Sequence, residues 1–146
     1  MSVRLLVYGA NSGICHEVLK LYAREGASFF LLGRNPDKLA AVADDLASRG
    51  GTVAGSASYD FKDWQQHGPA IAQAREALGE IDVAIVAHGT FPEQSDTESS
   101  SEMTSACMDD NFTSVTVISQ ALAQQLEQQG RGTLAVVSSV AGDRGR

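Results

Sequence analysis

The feature that most constrains this sequence is a regular alternation of short apolar runs with longer amphipathic segments. The apolar runs have the length of strands, and the segments between them have the spacing of apolar residues that is typical of helices. Strands that are apolar throughout are buried on both faces, so the alternation predicts a parallel sheet with helices on each side. The predicted strands are residues 3–8, 28–32, 52–59, 81–87 and 133–138. The fold class is therefore α/β, a doubly wound parallel sheet in one domain over residues 1–146.

Four helices are predicted between these strands, at residues 13–25, 36–49, 64–78 and 102–129, with a polar loop at 89–101. The stripe expected to face the sheet from the first helix consists of Ile14, Val18, Leu21 and Tyr22. In the last helix the corresponding stripe consists of Phe112, Val115, Ile118, Leu122 and Leu126.

Capping residues mark the starts of two helices. Asn35 precedes Pro36, which is a typical N-cap followed by proline in the first helical turn. Asp63 precedes the third helix, and Gln66 three residues later gives a pattern like a capping box.

Composition and charge exclude several classes of protein. Hydrophobic residues make up 43% of the chain and charged residues 20%, which is typical of a globular protein. The net charge of −7 argues against binding to nucleic acid or to an anionic membrane surface. The two cysteines, Cys15 and Cys107, are expected to be free thiols in a reducing cytoplasm. No targeting segment, membrane-inserting segment or metal-ligand cluster is recognised in the sequence.

A glycine-rich turn follows the first predicted strand. It runs Gly9-Ala-Asn-Ser-Gly13-Ile-Cys15 and leads directly into an amphipathic helix. A dinucleotide pyrophosphate needs a tight turn, a closely approaching backbone and free N–H groups at a helix amino end. The turn therefore predicts nucleotide binding, with a purely structural strand-to-helix turn as the alternative.

The glycine spacing resembles that of the short-chain dehydrogenase/reductase family. The family pattern is G-x-x-x-G-x-G, and this chain has Cys15 where the third glycine usually lies. The resemblance implies a Rossmann fold with strand order 3-2-1-4-5, ending after strand five in this chain. It also implies that Asn11, Ser12 and Ile14 lie near the bound cofactor.

The cofactor is expected to be NADP(H) rather than NAD(H). An NAD-preferring site places Asp or Glu after the second strand to bind the ribose hydroxyls, whereas this chain has Arg34 there. A guanidinium suits a 2′-phosphate, although a solvated loop arginine is the alternative.

The resemblance places further cofactor contacts after strands three and four. Asp60 and Phe61 correspond to residues beside the adenine, and a turn or capping role for Asp60 is the alternative. Val86-Ala87-His88-Gly89 stands where the family usually has Asn-Asn-Ala-Gly, so only Gly89 matches that motif, and Ala87, His88 and Gly89 are the expected contacts. We expect their backbone to line the adenosine site, with His88 more often scaffold than acid or base.

Two catalytic positions also follow from the resemblance. Ser139 in Ser138-Ser139 corresponds to the serine that hydrogen-bonds the substrate carbonyl, and Asn111 to the asparagine that supports a proton relay. A capping serine and a surface asparagine are the alternatives. The family's Tyr-x-x-x-Lys would begin near position 152, so we expect a truncated chain without reductase activity of its own. Cleavage by a trypsin-like protease at the terminal Arg144-Gly145-Arg146 would explain such an end.

The predicted function is an NADP-dependent oxidoreductase that transfers hydride between nicotinamide and a small carbonyl or alcohol. The alternative is a non-catalytic NADP-binding sensor or partner-binding module. Residues 87–90 and 138–146 are similar to bacterial reductases of 2-keto sugars on polyprenyl phosphate. Family members usually pair through the helix at 102–129, so a homo-oligomer is expected.

Overall fold

A computed structural model describes residues 2–144. Met1, Gly145 and Arg146 lie outside the described residues, and with them the end of the predicted Gly/Arg loop. One sheet of five parallel strands has the order β3-β2-β1-β4-β5, as predicted. The strands are β1 (Arg4–Tyr8), β2 (Ser28–Gly33), β3 (Thr52–Ser58), β4 (Val83–Val86) and β5 (Thr133–Val136). The helices are α1 (Gly13–Arg24), α2 (Pro36–Ser48), α3 (His67–Leu78), α4 (Gln94–Ser99), α5 (Ser101–Met108) and α6 (Ser114–Gln129).

Both faces of the sheet carry a hydrophobic core, because successive residues of a strand point to opposite faces. Leu6 and Tyr8 of β1 lie in the core formed with α3 and α6. Leu5 and Val7 lie in the second core, formed with α1 and α2. The doubly wound α/β prediction is therefore confirmed.

The apolar stripe predicted for α1 is wrong at Ile14, Val18 and Leu21, which are exposed, and only Tyr22 packs against the core. The residues that are buried are Cys15, Leu19 and Ala23, whereas Ile14 and Leu21 are 67% and 61% exposed. Two apolar stripes lie side by side on this helix, and the stripe with the smaller side chains faces the sheet. Small residues let a helix pack closely against a sheet, so size rather than periodicity selects the buried face.

The capping box predicted at Asp63 is also wrong. Asp63 precedes a 3₁₀ turn, Trp64–Gln66, and its side chain makes no capping hydrogen bond. The helix α3 starts only at His67, which is buried and is hydrogen-bonded through its ring to the Tyr59 hydroxyl. Pro69 then lies in the first turn, where its missing N–H leaves no helical hydrogen bond unmade. The Asn35 cap of α2 is confirmed, because its Oδ1 accepts from the Lys38 amide at 2.9 Å.

The long helix predicted over 102–129 is present but not uniform. It begins at Ser101 with Ser100 as N-cap, and a π-helical turn, Asp109–Thr113, separates α5 from α6. Phe112 lies in this turn and is 63% exposed, so its placement in the buried stripe is wrong. The polar segment 89–101 contains the short helix α4 as well as loop.

Charged pairs tie together the edge of the sheet where the strands begin. Arg4 donates from Nε and Nη2 to the two carboxylate oxygens of Asp82, at 2.8 and 2.9 Å. Arg4 also pairs with Glu80, which binds Arg131 as well. These hydrogen bonds lower the pKa of the Asp82 carboxyl. At the opposite edge, where the strands end, the described side chains include an ion-pair group of Asp110 with Arg34 and Lys62.

Within residues 2–144, no helix is long and apolar enough to cross a membrane.

Candidate nucleotide-binding site

A cavity of about 320 Å³ opens at the edge where β1, β2 and β4 end. In open parallel sheets, ligands bind at this edge, where the strand order reverses. The lining residues are Gly9, Asn11, Ser12, Gly33, Arg34, Asn35, Lys38, Phe61, Ala87, His88 and Gly89. A smaller cavity adjoins it, lined by Arg34, Asp60, Phe61, His88, Gly89, Asp110 and Ser114.

The turn after β1 brings two backbone segments into close contact. Gly9 has φ +81°, and a β-carbon built on it would lie 2.5 Å from the backbone nitrogen of His88. Its amide and that of Ala10 both donate to the Leu32 carbonyl, at 2.9 and 3.2 Å. Only glycine has both the required freedom at positive φ and the required small size at this position. The turn thus fixes the distance between the ends of β1 and β4.

The helix α1 starts directly at the rim of the cavity. Ser12 is its N-cap, and its side chain accepts from the Cys15 amide at 3.5 Å. Nothing lies within 4 Å of the position that a β-carbon would take at Gly13, so the helix amino end is open. Free N–H groups and the helix dipole at such an end favour anions. Cys15 is buried, and its desolvation raises the pKa of the thiol to about 12, so it serves as packing.

Asn11 presents an unsatisfied acceptor at the cavity. Its Nδ2 donates weakly to the Asn35 carbonyl at 3.5 Å, while its Oδ1 is buried without a hydrogen-bond partner in the described part of the chain. A buried polar atom without a partner costs free energy, and a bound ligand that donates to it would remove this cost.

The site therefore has a glycine turn, an open helix amino end and a cavity at the strand ends. Comparison with known proteins gives the family that these features suggest. The family model described as short chain dehydrogenase matches residues 4–146. The chain belongs to the short-chain dehydrogenase family.

Relatives of this chain include an uncharacterised oxidoreductase of Mycobacterium tuberculosis. The two are 31% identical over 142 residues, which cover 97% of this chain and 57% of the relative. The chain therefore spans little more than half of the length of that relative.

Solved structures with the same fold include a short-chain type dehydrogenase/reductase from Mycobacterium marinum. It has a TM-score of 0.88 at 30% identity, covering 99% of this chain and 58% of that one. Actinorhodin polyketide ketoreductase, solved with NADPH, has a TM-score of 0.87 at 21% identity and covers 99% of this chain and 56% of its own.

Basic side chains collect at one corner of the cavity and beside it. Arg34 follows β2, and Lys38 lies four residues later in the first turn of α2. Lys62 approaches from the segment after β3 and pairs with Asp110 at 3.2 Å, while Arg34 lies 3.9 Å from the same carboxylate oxygen. We call Arg34, Lys38 and Lys62 the basic corner.

His88 is held between Phe61 and Ser114. Its ring centroid lies 4.8 Å from that of Phe61, and its Nε2 lies 2.7 Å from Ser114 Oγ. Since Ser114 donates its only proton to the Asp110 carbonyl, at 2.9 Å, His88 Nε2 must be the donor. Its Nδ1 is then a bare acceptor, buried without a partner among the described residues. Burial and the nearby Arg34 charge lower the pKa of His88 to about 4, so the ring is neutral at physiological pH.

Asn111 connects the π turn to the loop after β4. Its Oδ1 accepts from the Thr90 amide at 2.8 Å, and its Nδ2 donates to the Cys107 carbonyl at 3.0 Å. A β-carbon on Gly89 would lie 2.8 Å from that Oδ1, so the motif glycine allows the two segments to meet. Asn111 is therefore a tether in this structure, and its role in a proton relay stays a prediction.

The remaining predicted site residues lie at or beyond the rim. Asp60 accepts from the Lys62 amide at 3.0 Å, which is the turn-capping role left open for it, and it lines the smaller cavity. Ser139 is exposed and accepts from the Ala141 amide at 3.2 Å, capping a 3₁₀ turn, and it lines neither cavity. Gly13 and Ile14 stand outside both linings.

Three residues that line the larger cavity were not predicted, namely Gly33, Asn35 and Lys38, and neither were Asp110 and Ser114 of the smaller cavity. The spacing of Arg34 and Lys38, with a helix cap between them, was the available sequence signal for the lysine. In the described part of the chain, no group of three or more His, Cys, Asp or Glu side chains could hold a metal ion.

Proposed function

We propose that this chain forms the NADP-binding part of a reductase that acts on a small carbonyl or alcohol. The observation that carries the proposal is the basic corner, where Arg34, and not Asp or Glu, occupies the position directly after β2. A carboxylate there would hydrogen-bond a free ribose hydroxyl and repel a 2′-phosphate, whereas a guanidinium attracts the phosphate.

The described residues fit a dinucleotide. Gly9 and the open amino end of α1 leave room for a pyrophosphate, and the Asn11 Oδ1 acceptor has no partner among residues 2–144. Arg34 and Lys38 supply positive charge for the 2′-phosphate, while Phe61, Ala87 and Gly89 supply a wall for the adenosine. The same fold accommodates NADPH in actinorhodin ketoreductase, which supports this assignment.

When bound, the nicotinamide would supply or accept the hydride. The residues of this chain would bind and orient. Ser139 would donate a hydrogen bond to the substrate oxygen, and Asn111 would hold the segments that support proton transfer. The proton itself would come from a Tyr-x-x-x-Lys segment, which is not among these residues. Neutral His88 would serve as wall rather than as acid.

We also propose that the protein forms a homo-oligomer through residues 102–129. Its substrate would be a small molecule, and its location the cytoplasm. Met108 and Phe112 support the pairing, because both apolar side chains are mostly exposed on this segment. Large apolar side chains that are exposed close together often mark contact surfaces.

The test is a titration of the purified protein with NADPH and NADH, followed by nucleotide fluorescence. We expect NADPH to bind roughly 10- to 100-fold more tightly, as for one or two charge-assisted hydrogen bonds. Arg34→Asp should reverse the preference. Arg24→Asp is the control. This substitution makes the same change in net charge, and Arg24 lies in the last turn of α1, at the end of the helix far from the cavity rim. Equal affinities, or tighter NADH, would overturn the proposal.

An assay of NADPH oxidation distinguishes an enzyme from a non-catalytic NADP-binding module. A reductase extended through a Tyr-x-x-x-Lys segment should oxidise NADPH when offered a carbonyl substrate. A module would bind NADPH with the same preference but leave it unoxidised with every carbonyl tested.

A further inference from the structure

Asp110 places a carboxylate inside the basic corner. Its Oδ1 lies 3.2 Å from Lys62 Nζ and 3.9 Å from Arg34 Nη1, and its side chain is only 18% exposed. It also lines the smaller cavity together with Arg34 and Asp60. The neighbouring Asp60 does not compete for these cations in the same way, since its Oδ1 accepts from the Lys62 backbone amide. Asp110 is thus the carboxylate that already occupies the corner.

The π turn explains how the helix directs this side chain. π-helical turns are rare and are found frequently at functional sites. Here the turn directs two consecutive side chains to different partners, Asp110 to Arg34 and Lys62, and Asn111 to Thr90. The Asp110 carbonyl accepts from Ser114 Oγ, which in turn is bonded to His88. The carboxylate is therefore held by the wall of the cavity and not by a flexible loop.

The two ion pairs of Asp110 are unequal. Lys62 is within hydrogen-bond distance, whereas Arg34 lies at the limit of an ion pair and makes no hydrogen bond to Asp110. Arg34 is also 46% exposed, so it can turn away from Asp110 toward a ligand. An arriving phosphate would compete with Asp110 for Arg34 and would be repelled by the same carboxylate, because like charges that are partly buried are poorly screened.

We propose that Asp110 is a specificity-determining residue that weakens the binding of a ribose 2′-phosphate by competing for Arg34. This inference rests on the proposed NADP-binding function of the same cavity. It makes the cofactor preference a balance between one guanidinium that attracts the phosphate and one carboxylate that opposes it. A nucleotide without the 2′-phosphate would be largely indifferent to Asp110.

The test compares Asp110→Asn with the unaltered protein, using 2′,5′-ADP and 5′-AMP as probes in isothermal titration calorimetry. We expect Asp110→Asn to bind 2′,5′-ADP about 3- to 10-fold more tightly, and 5′-AMP within about twofold of the unaltered protein. Asp109→Asn is the matched control. It removes the same charge one residue earlier, and the Asp109 side chain is not in the ion pairs that join Asp110 to Arg34 and Lys62. Its ratio of the two affinities should not change.

A double variant distinguishes competition for Arg34 from a general effect of charge. With Arg34→Gln in place, Asp110→Asn should no longer improve the binding of 2′,5′-ADP. An unchanged ratio in Asp110→Asn, an equal gain in Asp109→Asn, or a gain that persists without Arg34 would each overturn the inference. Asp110→Ser provides the same comparison if circular dichroism shows that the asparagine variant is misfolded.

The outcome for Asp110 is separable from that for the proposed function. If the unaltered protein prefers 5′-AMP, the NADP proposal fails. If Asp110→Asn then raises the affinity for 2′,5′-ADP through Arg34, Asp110 still opposes the phosphate, and the inference stands.

Discussion

Gly9 and His88 come so close that a β-carbon at position 9 would lie 2.5 Å from the His88 backbone nitrogen. The contact joins the ends of two neighbouring strands, β1 and β4, at the point where the cavity opens. Two requirements coincide at this glycine, positive φ and the absence of a side chain, and each has a physical cost if it is not met.

Gly9→Ala is therefore expected to lower the free energy of unfolding by ~2–4 kcal/mol, from strain at positive φ together with overpacking. Urea denaturation followed by circular dichroism measures the change. Gly13→Ala is the matched control, because a β-carbon there meets nothing within 4 Å. It should leave stability within ~1 kcal/mol. Equal losses in both variants would contradict the role of the close contact.

Asn111→Ala should detach the loop after β4 from the π turn. The variant loses the hydrogen bonds to Thr90 and Cys107, and a partly exposed pair of this kind contributes ~1–2 kcal/mol. We expect faster hydrogen exchange at the Thr90 amide, measured by NMR. Thr116→Ala removes a hydroxyl bonded to the Phe112 carbonyl on the same helix and serves as control. Unaltered exchange at Thr90 in Asn111→Ala would show that the tether does not hold the loop.

Protonation of His88 should destabilise the fold in mild acid. Burial lowers the pKa of His88 to about 4 in the folded protein, from an ordinary 6.5. Between these values the unfolded chain binds a proton that the folded chain does not, so the free energy of unfolding falls as pH falls from 6.5 toward 4. The contribution is ~1–2 kcal/mol once solvent screening of this partly exposed ring is included.

The measurement is urea denaturation at several pH values. His88→Asn should flatten the decline over this range, and the slope that remains would reflect His67, whose pKa is also lowered by burial. His16→Gln is the control, because His16 pairs with Asp45 at the surface between α1 and α2. A profile in which His88→Asn and the unaltered protein run parallel would exclude this role for His88.

Ser139→Ala, in a form of the protein that reduces carbonyls, should lower kcat strongly and leave NADPH affinity unchanged. The reason is the proposed hydrogen bond from Ser139 Oγ to the substrate oxygen, whose loss typically reduces the rate by ~10²–10³-fold. Steady-state kinetics with NADPH titration separates the two effects. Ser138→Ala is the neighbouring control. If kcat survives in Ser139→Ala, the serine only caps the turn in which its Oγ accepts from Ala141.

The strand pattern and the glycine turn were readable from the sequence because each has a local physical cause. Near-continuous apolar runs predict buried parallel strands, and Asn35 before Pro36 predicts a helix start. The parallel sheet and the helix start are observed, but only β1, β2 and β4 are largely buried, whereas the edge strands β3 and β5 are not. The buried face of α1 could not be predicted in this way, since Ile14 and Cys15 both begin apolar stripes. Only the packing against the sheet selects between them.

The site, too, contains residues that the sequence could predict and residues that it could not. Arg34 and Gly9 follow strands directly, so their position at the cavity follows from the topology. Asp110 reaches Arg34 and Lys62 across more than 45 residues of sequence, and it does so through a π turn that has no residue signature of its own. Long-range charge pairs of this kind depend on the exact rotation of a helix, which hydrophobic periodicity does not determine.

The π turn at Asp109–Thr113 also makes the rotation of α5 about the helix axis independent of that of α6. In α6, Ile118, Leu122 and Leu126 are locked against the sheet, whereas the described residues of α5 include none that is fully buried. A change of one residue in length before Ser114 can thus be absorbed as a wider or tighter turn, without rotating the buried half of the helix. An insertion or deletion of one residue within 94–108 is therefore expected to leave the register of the helix that supports the cavity unchanged.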